Sequence, residues 1–212
     1  VMYIKYHGHA CFEIGNSKKI VFDPHDGKSI GLPVPNPVAD VVFITHDHFD
    51  HNAISVVKGN FKTIKNGGNG EIYGIKYESI LEFHDPDMGR ERGTINIYKV
   101  YLDGLSFVHV GDLGHIPDKK ALDFMKNVDF IFIPVGSVYT IDGNQAYEIV
   151  KSINPKVAVP MHYSKGKSKL GLETYDKFLS NFNKDSIKFV GKQKEFNKDE
   201  ISGKNTEIWV FE

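Results

Sequence analysis

Within Thr45-His46-Asp47-His48-Phe49-Asp50-His51, three imidazoles and the Asp50 carboxylate fall within six positions. With 10 His and 16 Asp in 212 residues, that placement arises by accident roughly twice per thousand such chains, so a solvated histidine-rich turn is the weaker reading. The segment follows Asp40-Val41-Val42-Phe43-Ile44, an apolar run of strand length with β-branched bias. Chain leaving a strand in extended form puts residues two apart on the same side, so His46 and His48 can converge on one metal ion. Asp50 and His51 are adjacent and must diverge. Each can turn toward a second ion about 3.5–4 Å from the first, as in two-metal hydrolytic sites.

The same juxtaposition of strand end and ligand-type side chain recurs. Ile75–Phe83 reads as a strand running into His84-Asp85-Pro86, where a third ligand for the first ion is expected. Leu105–Val110 delivers Gly111-Asp112-Leu113-Gly114-His115, and a carboxylate flanked by glycine can approach two ions and bridge them. His115 could face a substrate as acid, base or hydrogen-bond donor, or merely cap the loop. Lys156–Val159 ends in Pro160-Met161-His162-Tyr163. Four strand ends carrying His46, His84, Asp112 and His162 weigh more than any one of them.

Other residues have two readings each. Asp23, at the end of the strand Lys19–Phe22, either takes the second N–H of a ligand imidazole or starts a turn. His7 and His9 lie in a glycine turn and could be ligands, but without the density of the 46–51 cluster they are expected to support the ligands or the turn itself, and His109 reads as a core or strand histidine. Arg90 and Arg92 are the only arginines beside 24 lysines. They can clamp a substrate carboxylate or phosphate, or pair internally with Asp87 or Glu91. The three prolines of Gly31–Pro37 make a stiff loop, either a pocket wall or a passive connection.

The elements that must position these residues are mostly strands. Tyr3–Tyr6, Cys11–Ile14, Lys62–Lys65, Glu71–Tyr73, Asn96–Leu102, Val128–Ile133, Ile187–Val190 and Glu207–Phe211 complete the strand pattern. Helices are predicted over Asn52–Val57, Asp118–Asn127, Asp142–Ile153 and Thr174–Phe182. A hydrophobic fraction of 41% allows a full core, and no linker divides the chain, so one domain over residues 1–212 is expected. A net charge of −1 supplies no global field for nucleic acid or anionic membrane. Cys11, the only cysteine, excludes an internal disulfide and suits a reducing compartment as a small core residue. No signal-like N-terminus and no run of 18 apolar residues is present, so a soluble cytoplasmic protein is expected.

The motifs Gly8-His9-Ala10, Phe22-Asp23-Pro24, Thr45 to His51, Phe83-His84, Gly111 to His115, Ile133-Pro134-Val135-Gly136 and Pro160 to Tyr163 resemble those of metallo-β-lactamase-fold hydrolases over nearly the whole chain. The Gly-Asp-Leu-Gly-His and Met-His-Tyr segments resemble the branch of ascorbate-6-phosphate lactonase and the N-acylethanolamine phospholipase D enzymes. That resemblance implies an α/β (α+β) four-layer αββα sandwich. It implies that His46, His48 and His84 hold one ion, that Asp50, His51 and His162 hold another, and that Asp112 bridges them. Zinc is the expected metal, with manganese, iron or nickel also suited to the donors. The implied activity is hydrolysis of a small, anionic phosphodiester or lactone by metal-activated water, with Asp50 orienting the nucleophile, His115 aiding the leaving oxygen and Arg90 or Arg92 binding the anion. No nucleic-acid or membrane partner is expected. The alternatives are a diiron oxidoreductase, whose glutamate is replaced here by His48, and a metal-binding protein without turnover.

Overall fold

A computed structural model describes residues 1–165, 169–203 and 205–212. In chain order the strands and helices are β1 (Met2–Tyr6), β2 (Phe12–Gly15), β3 (Lys19–Phe22), β4 (Val41–Phe43), β5 (Lys62–Ile64), β6 (Gly70–Ile72), β7 (Ile75–Phe83), β8 (Thr94–Leu102), β9 (Leu105–His109), α1 (Lys119–Met125), β10 (Phe130–Pro134), α2 (Gly143–Ile153), β11 (Val157–Met161), α3 (Asp176–Leu179), β12 (Ile187–Gly191), β13 (Gln193–Phe196) and β14 (Glu207–Phe211). They form a six-stranded sheet, β13-β1-β2-β3-β4-β5, and an eight-stranded sheet, β12-β14-β11-β10-β9-β8-β7-β6.

The sheets face each other across an aromatic interior. Phe12 of β2 lies 4.5 Å, centroid to centroid, from Phe132 of β10, and Phe22 of β3 lies 6.1 Å from it. All three rings are fully buried, each contributing about 1.5–3 kcal/mol by leaving water. Adjacent hairpins are antiparallel, whereas β3 and β4, and likewise β9, β10 and β11, run parallel. Parallel neighbours end at the same edge, so the chain exits from β4, β9 and β11 can meet where the sheets abut.

The helices α1, α2 and α3 cover the outer face of the eight-stranded sheet. Asp142 caps α2 by accepting from the Gln145 amide, while the Gln145 side chain accepts from the Asp142 amide. The opposite outer layer is thin. Over 52–57 the predicted helix shrinks to a 3-10 turn at Ile54–Val56, and Ala39, Val57 and Phe61 pack there against Val21, Val42 and Cys11. The predicted helix over Thr174–Phe182 is likewise shorter, one turn of α3 followed by isolated turns. No helix among the described residues is long and apolar enough to cross a membrane.

Candidate metal centre

The site grows from Asp23, which is fully buried at the end of β3. Its Oδ1 accepts the Thr45 amide at 2.8 Å, and its Oδ2 accepts the Thr45 hydroxyl at 2.6 Å and His51 Nδ1–H at 2.8 Å. A threonine hydroxyl has one hydrogen, and that one is committed to Asp23. Thr45 Oγ1 must therefore accept from His46 Nδ1–H at 3.0 Å. One carboxylate thus commits Nδ1 of two imidazoles as donors and leaves both Nε2 atoms without a hydrogen-bond partner among the described residues.

Those Nε2 atoms face Asp112, which follows β9. Asp112 Oδ2 lies 3.5 Å from His46 Nε2 and 3.2 Å from His84 Nε2. Its Oδ1 lies 3.0 Å from His51 Nε2 and 3.1 Å from His162 Nε2. Each oxygen addresses a different set of imidazoles. His46, His48 and His84 form one group of ligand atoms, all within 4.8 Å of one another, and Asp50, His51 and His162, joined by His9, form a second. His46 Nε2, His51 Nε2, His162 Nε2 and Asp112 Oδ1 are buried with no hydrogen-bond partner among the described residues. Buried polar atoms without partners are costly, and several aimed at one point are what a divalent cation would satisfy. The Nδ1 atoms of His84 and His162 also lack partners, so nothing fixes their tautomers as Asp23 and Thr45 fix those of His46 and His51.

Charge fits the same occupant. Burial would raise the Asp112 carboxyl, but His162 and His51 hold it well below the usual carboxylate range. Burial acts likewise on Asp50 and Asp23, and the neighbouring imidazoles hold both ionised. Burial lowers His46 and His48, which keeps them neutral donors. His51 is the exception: burial opposes its charge, but Asp112 and Asp23 raise it well above the ordinary histidine value, so its Nε2 holds a proton that a bound cation would displace.

The close approach of Asp112 depends on its flanking glycines. Gly111 has φ +54°, and a Cβ there would stand 2.5 Å from Thr45 Oγ1. At Gly114 a Cβ would stand 2.2 Å from the Asp85 amide nitrogen. Only the absence of side chains lets β9 deliver Asp112 between the two imidazole sets.

The structure brings His46, His48, Asp50, His51, His84, Asp112 and His162 together, but it separates other candidates from them. Arg90 is exposed and, among the described residues, its side chain meets Asp87, at 3.5 Å. Arg92 donates from Nε to the His84 carbonyl at 3.2 Å, so it braces the loop that follows His84. Asp85 anchors that loop by accepting the amides of Asp87, Gly89, Glu91 and Arg92; burial opposes its charge, yet these bonds draw its carboxyl down to about 2. His115 places Nε2 2.7 Å from Glu82 Oε2 and Nδ1 3.0 Å from the Ile116 carbonyl oxygen, so neither ring nitrogen is free. His109 is held in the interior by the Ala10 carbonyl oxygen at 2.9 Å.

His9 has a larger part than its sequence suggests. Its Nε2 lies 2.7 Å from Asp50 Oδ2, and its ring centroid lies 4.0 Å from that of His162. Burial, then the neighbouring His162, lowers its pKa to about 3, so it is neutral and donates this hydrogen bond. Its carbonyl oxygen accepts the His162 amide at 2.9 Å, linking the sheets. His25 supports the same turn, donating from Nε2 to the His7 carbonyl oxygen at 2.9 Å while Nδ1 accepts the Gly27 amide at 3.0 Å. Beyond His9 opens a cavity of about 550 Å³, and the proline-rich segment Gly31–Pro35 forms one of its walls.

Two facing sheets with an Asp/His cluster at their shared edge define a metal-dependent hydrolase of the metallo-β-lactamase fold. The chain belongs to the beta-lactamase superfamily, whose domain matches residues 3–162. It is 30% identical over 193 residues to a UPF0173 metal-dependent hydrolase of Thermoplasma acidophilum, covering 76% of this chain and 83% of that one. A Zn-dependent hydrolase candidate of the metallo-β-lactamase superfamily from Thermotoga maritima superposes with a TM-score of 0.82 at 33% identity, covering 100% of this chain and 98% of that one. The metallo hydrolase Igni18 of Ignicoccus hospitalis shares the fold, with a TM-score of 0.60 at 21% identity over 77% of this chain and 83% of its own.

Proposed function

We propose that this protein hydrolyses a small anionic phosphodiester or lactone, using two divalent cations held by His46, His48 and His84 on one side and by Asp50, His51 and His162 on the other. The observation that carries this reading is the division of Asp112, with one carboxylate oxygen turned to each imidazole set. Zinc suits imidazole and carboxylate donors without thiolate, and the similar Thermotoga maritima protein is a Zn-dependent hydrolase candidate. When bound, such ions supply Lewis acidity and bring the pKa of water toward neutrality.

The chain's own residues do the rest. Asp23 and Thr45 hold two imidazoles in the tautomer that a cation requires. Asp50, kept anionic and pinned by His9, would orient the attacking water by accepting its hydrogen bond. His115 has both ring nitrogens on other partners, which leaves Asp50 as the group that positions the water.

Metal content by plasma mass spectrometry, joined to a screen of phosphodiesters and lactones, tests this reading. The wild type is expected to hold two equivalents and to hydrolyse one of these classes, and Asp112→Asn to lose metal and activity together. Full activity in an Asp112→Asn variant that has lost its metal would refute it.

A further inference from the structure

The cavity beyond His9 is a site in its own right. Its volume, about 550 Å³, lies within the range of small-molecule pockets, roughly 300–1,000 Å³. One wall is apolar, built by Ile30, Leu32, Pro33, Val34 and Leu172. Leu32 and Val34 remain 38% and 53% exposed, although their prolines hold them stiffly in place.

The remaining lining is basic. Lys5, Lys165, Lys169 and Lys192 reach it, against the single carboxylate of Glu212, which accepts a hydrogen bond from the Tyr175 hydroxyl. Like most lysines of the chain, these four make no ion pair among the described residues; what sets them apart is that they line one cavity together. A chain of net charge −1 thus sets four lysines and one acidic residue around one apolar trough. The floor is shared with the metal centre: His9 lines the cavity and donates to Asp50, and Tyr163 and Ser164 line it directly after His162.

We infer that this cavity holds the non-reacting part of the substrate, an apolar chain or ring ending in a carboxylate or phosphate, with the anion met by the lysines rather than by Arg90 or Arg92. The apolar body lies along Leu32 to Val34 and the reacting bond lies toward Asp50. The inference rests on the hydrolase reading only for that reacting end. Ligands of this form gain from two independent terms, chain burial at about 25 cal/mol per Å² and attraction between opposite charges.

Calorimetric titration of the metal-loaded protein with decanoate, decyl phosphate, decanol and acetate tests it without any turnover. Decanoate or decyl phosphate should bind more tightly than both decanol and acetate, and the tighter of the two names the anion. Lys5→Gln combined with Lys192→Gln should weaken it by roughly threefold to twentyfold, with an unchanged thermal midpoint as the control for folding. Leu32→Ser should narrow the gap between decanoate and acetate. Equal affinity for decanoate and acetate, or a double lysine variant that binds decanoate as the wild type does, would overturn the inference. Intact binding in a protein that hydrolyses nothing would sink the hydrolase reading alone.

Discussion

Substituting Asp23 by asparagine separates folding from metal binding. Asp23 takes three hydrogen bonds with no exposed surface, two of them on Oδ2. An asparagine keeps one acceptor oxygen and turns an NH₂ group toward at least one buried donor. Leaving one such donor unpaired costs about 1–3 kcal/mol. It also frees the His51 and His46 tautomers, and lost support of that kind lowers metal affinity by about 10–100-fold. In excess zinc this removes a further 1.4–2.7 kcal/mol or so of ligand-derived stability, giving a total loss of roughly 2–6 kcal/mol in the loaded protein. Urea melts with zinc and with chelator, together with competition for zinc against a chromophoric chelator, measure the two parts separately. Asp23→Asn with wild-type zinc affinity would refute the reasoning, whatever its effect on the melts.

Gly111→Ala forces a Cβ to within 2.5 Å of Thr45 Oγ1 at a positive φ, so it should lose about 1–3 kcal/mol or more and release metal, as thermal melts and metal analysis would report. Arg92→Ala should destabilise the protein by about 1 kcal/mol through the lost bond to the His84 carbonyl oxygen, whereas Arg90→Ala should stay within about 0.5 kcal/mol of wild type in urea melts. Equal losses would mean that the loop is not braced in this way. Burial raises the Tyr98 hydroxyl to about 12, although it accepts the Gly67 amide. A folded value above the unfolded one gives stability that is complete below about pH 10 and lost as pH rises through 12. Tyr98→Phe should therefore flatten part of the alkaline decline in stability, and an unchanged slope would contradict this assignment.

How far the site was legible varied with the kind of contact. His46, His84, Asp112 and His162 could be picked out because each lies just beyond a strand, where apolar pattern gives way to ligand-type side chains. His9 was legible as support for the ligands or the turn but not by its partner: 41 residues separate it from Asp50, and nothing local signals that bond. Asp23 had two readings as a sequence, and only the fold brings His51 Nδ1 to it. The arginines stood out by rarity, yet Arg92 braces a loop through a backbone carbonyl, a partner that composition cannot reveal. In the fold, β13 went unread because Gln193-Lys194-Glu195-Phe196 lacks apolar alternation; it is an edge strand of which only Phe196 is buried. The stretch after His51 lacks a side-chain N-cap and ends as a 3-10 turn rather than the expected helix.

The cluster straddles the seam between the two sheets. His46, His48, Asp50 and His51 leave the six-stranded one, while His84, Asp112 and His162 leave the eight-stranded one. Cations seated there would act as rivets between two halves that otherwise meet through side-chain packing and a few hydrogen bonds, such as the His162 amide to the His9 carbonyl oxygen. Stripping them would loosen the rim before the aromatic interior, so hydrogen exchange on chelation should quicken first at the amides of 45–51 and 111–115 and last along β10.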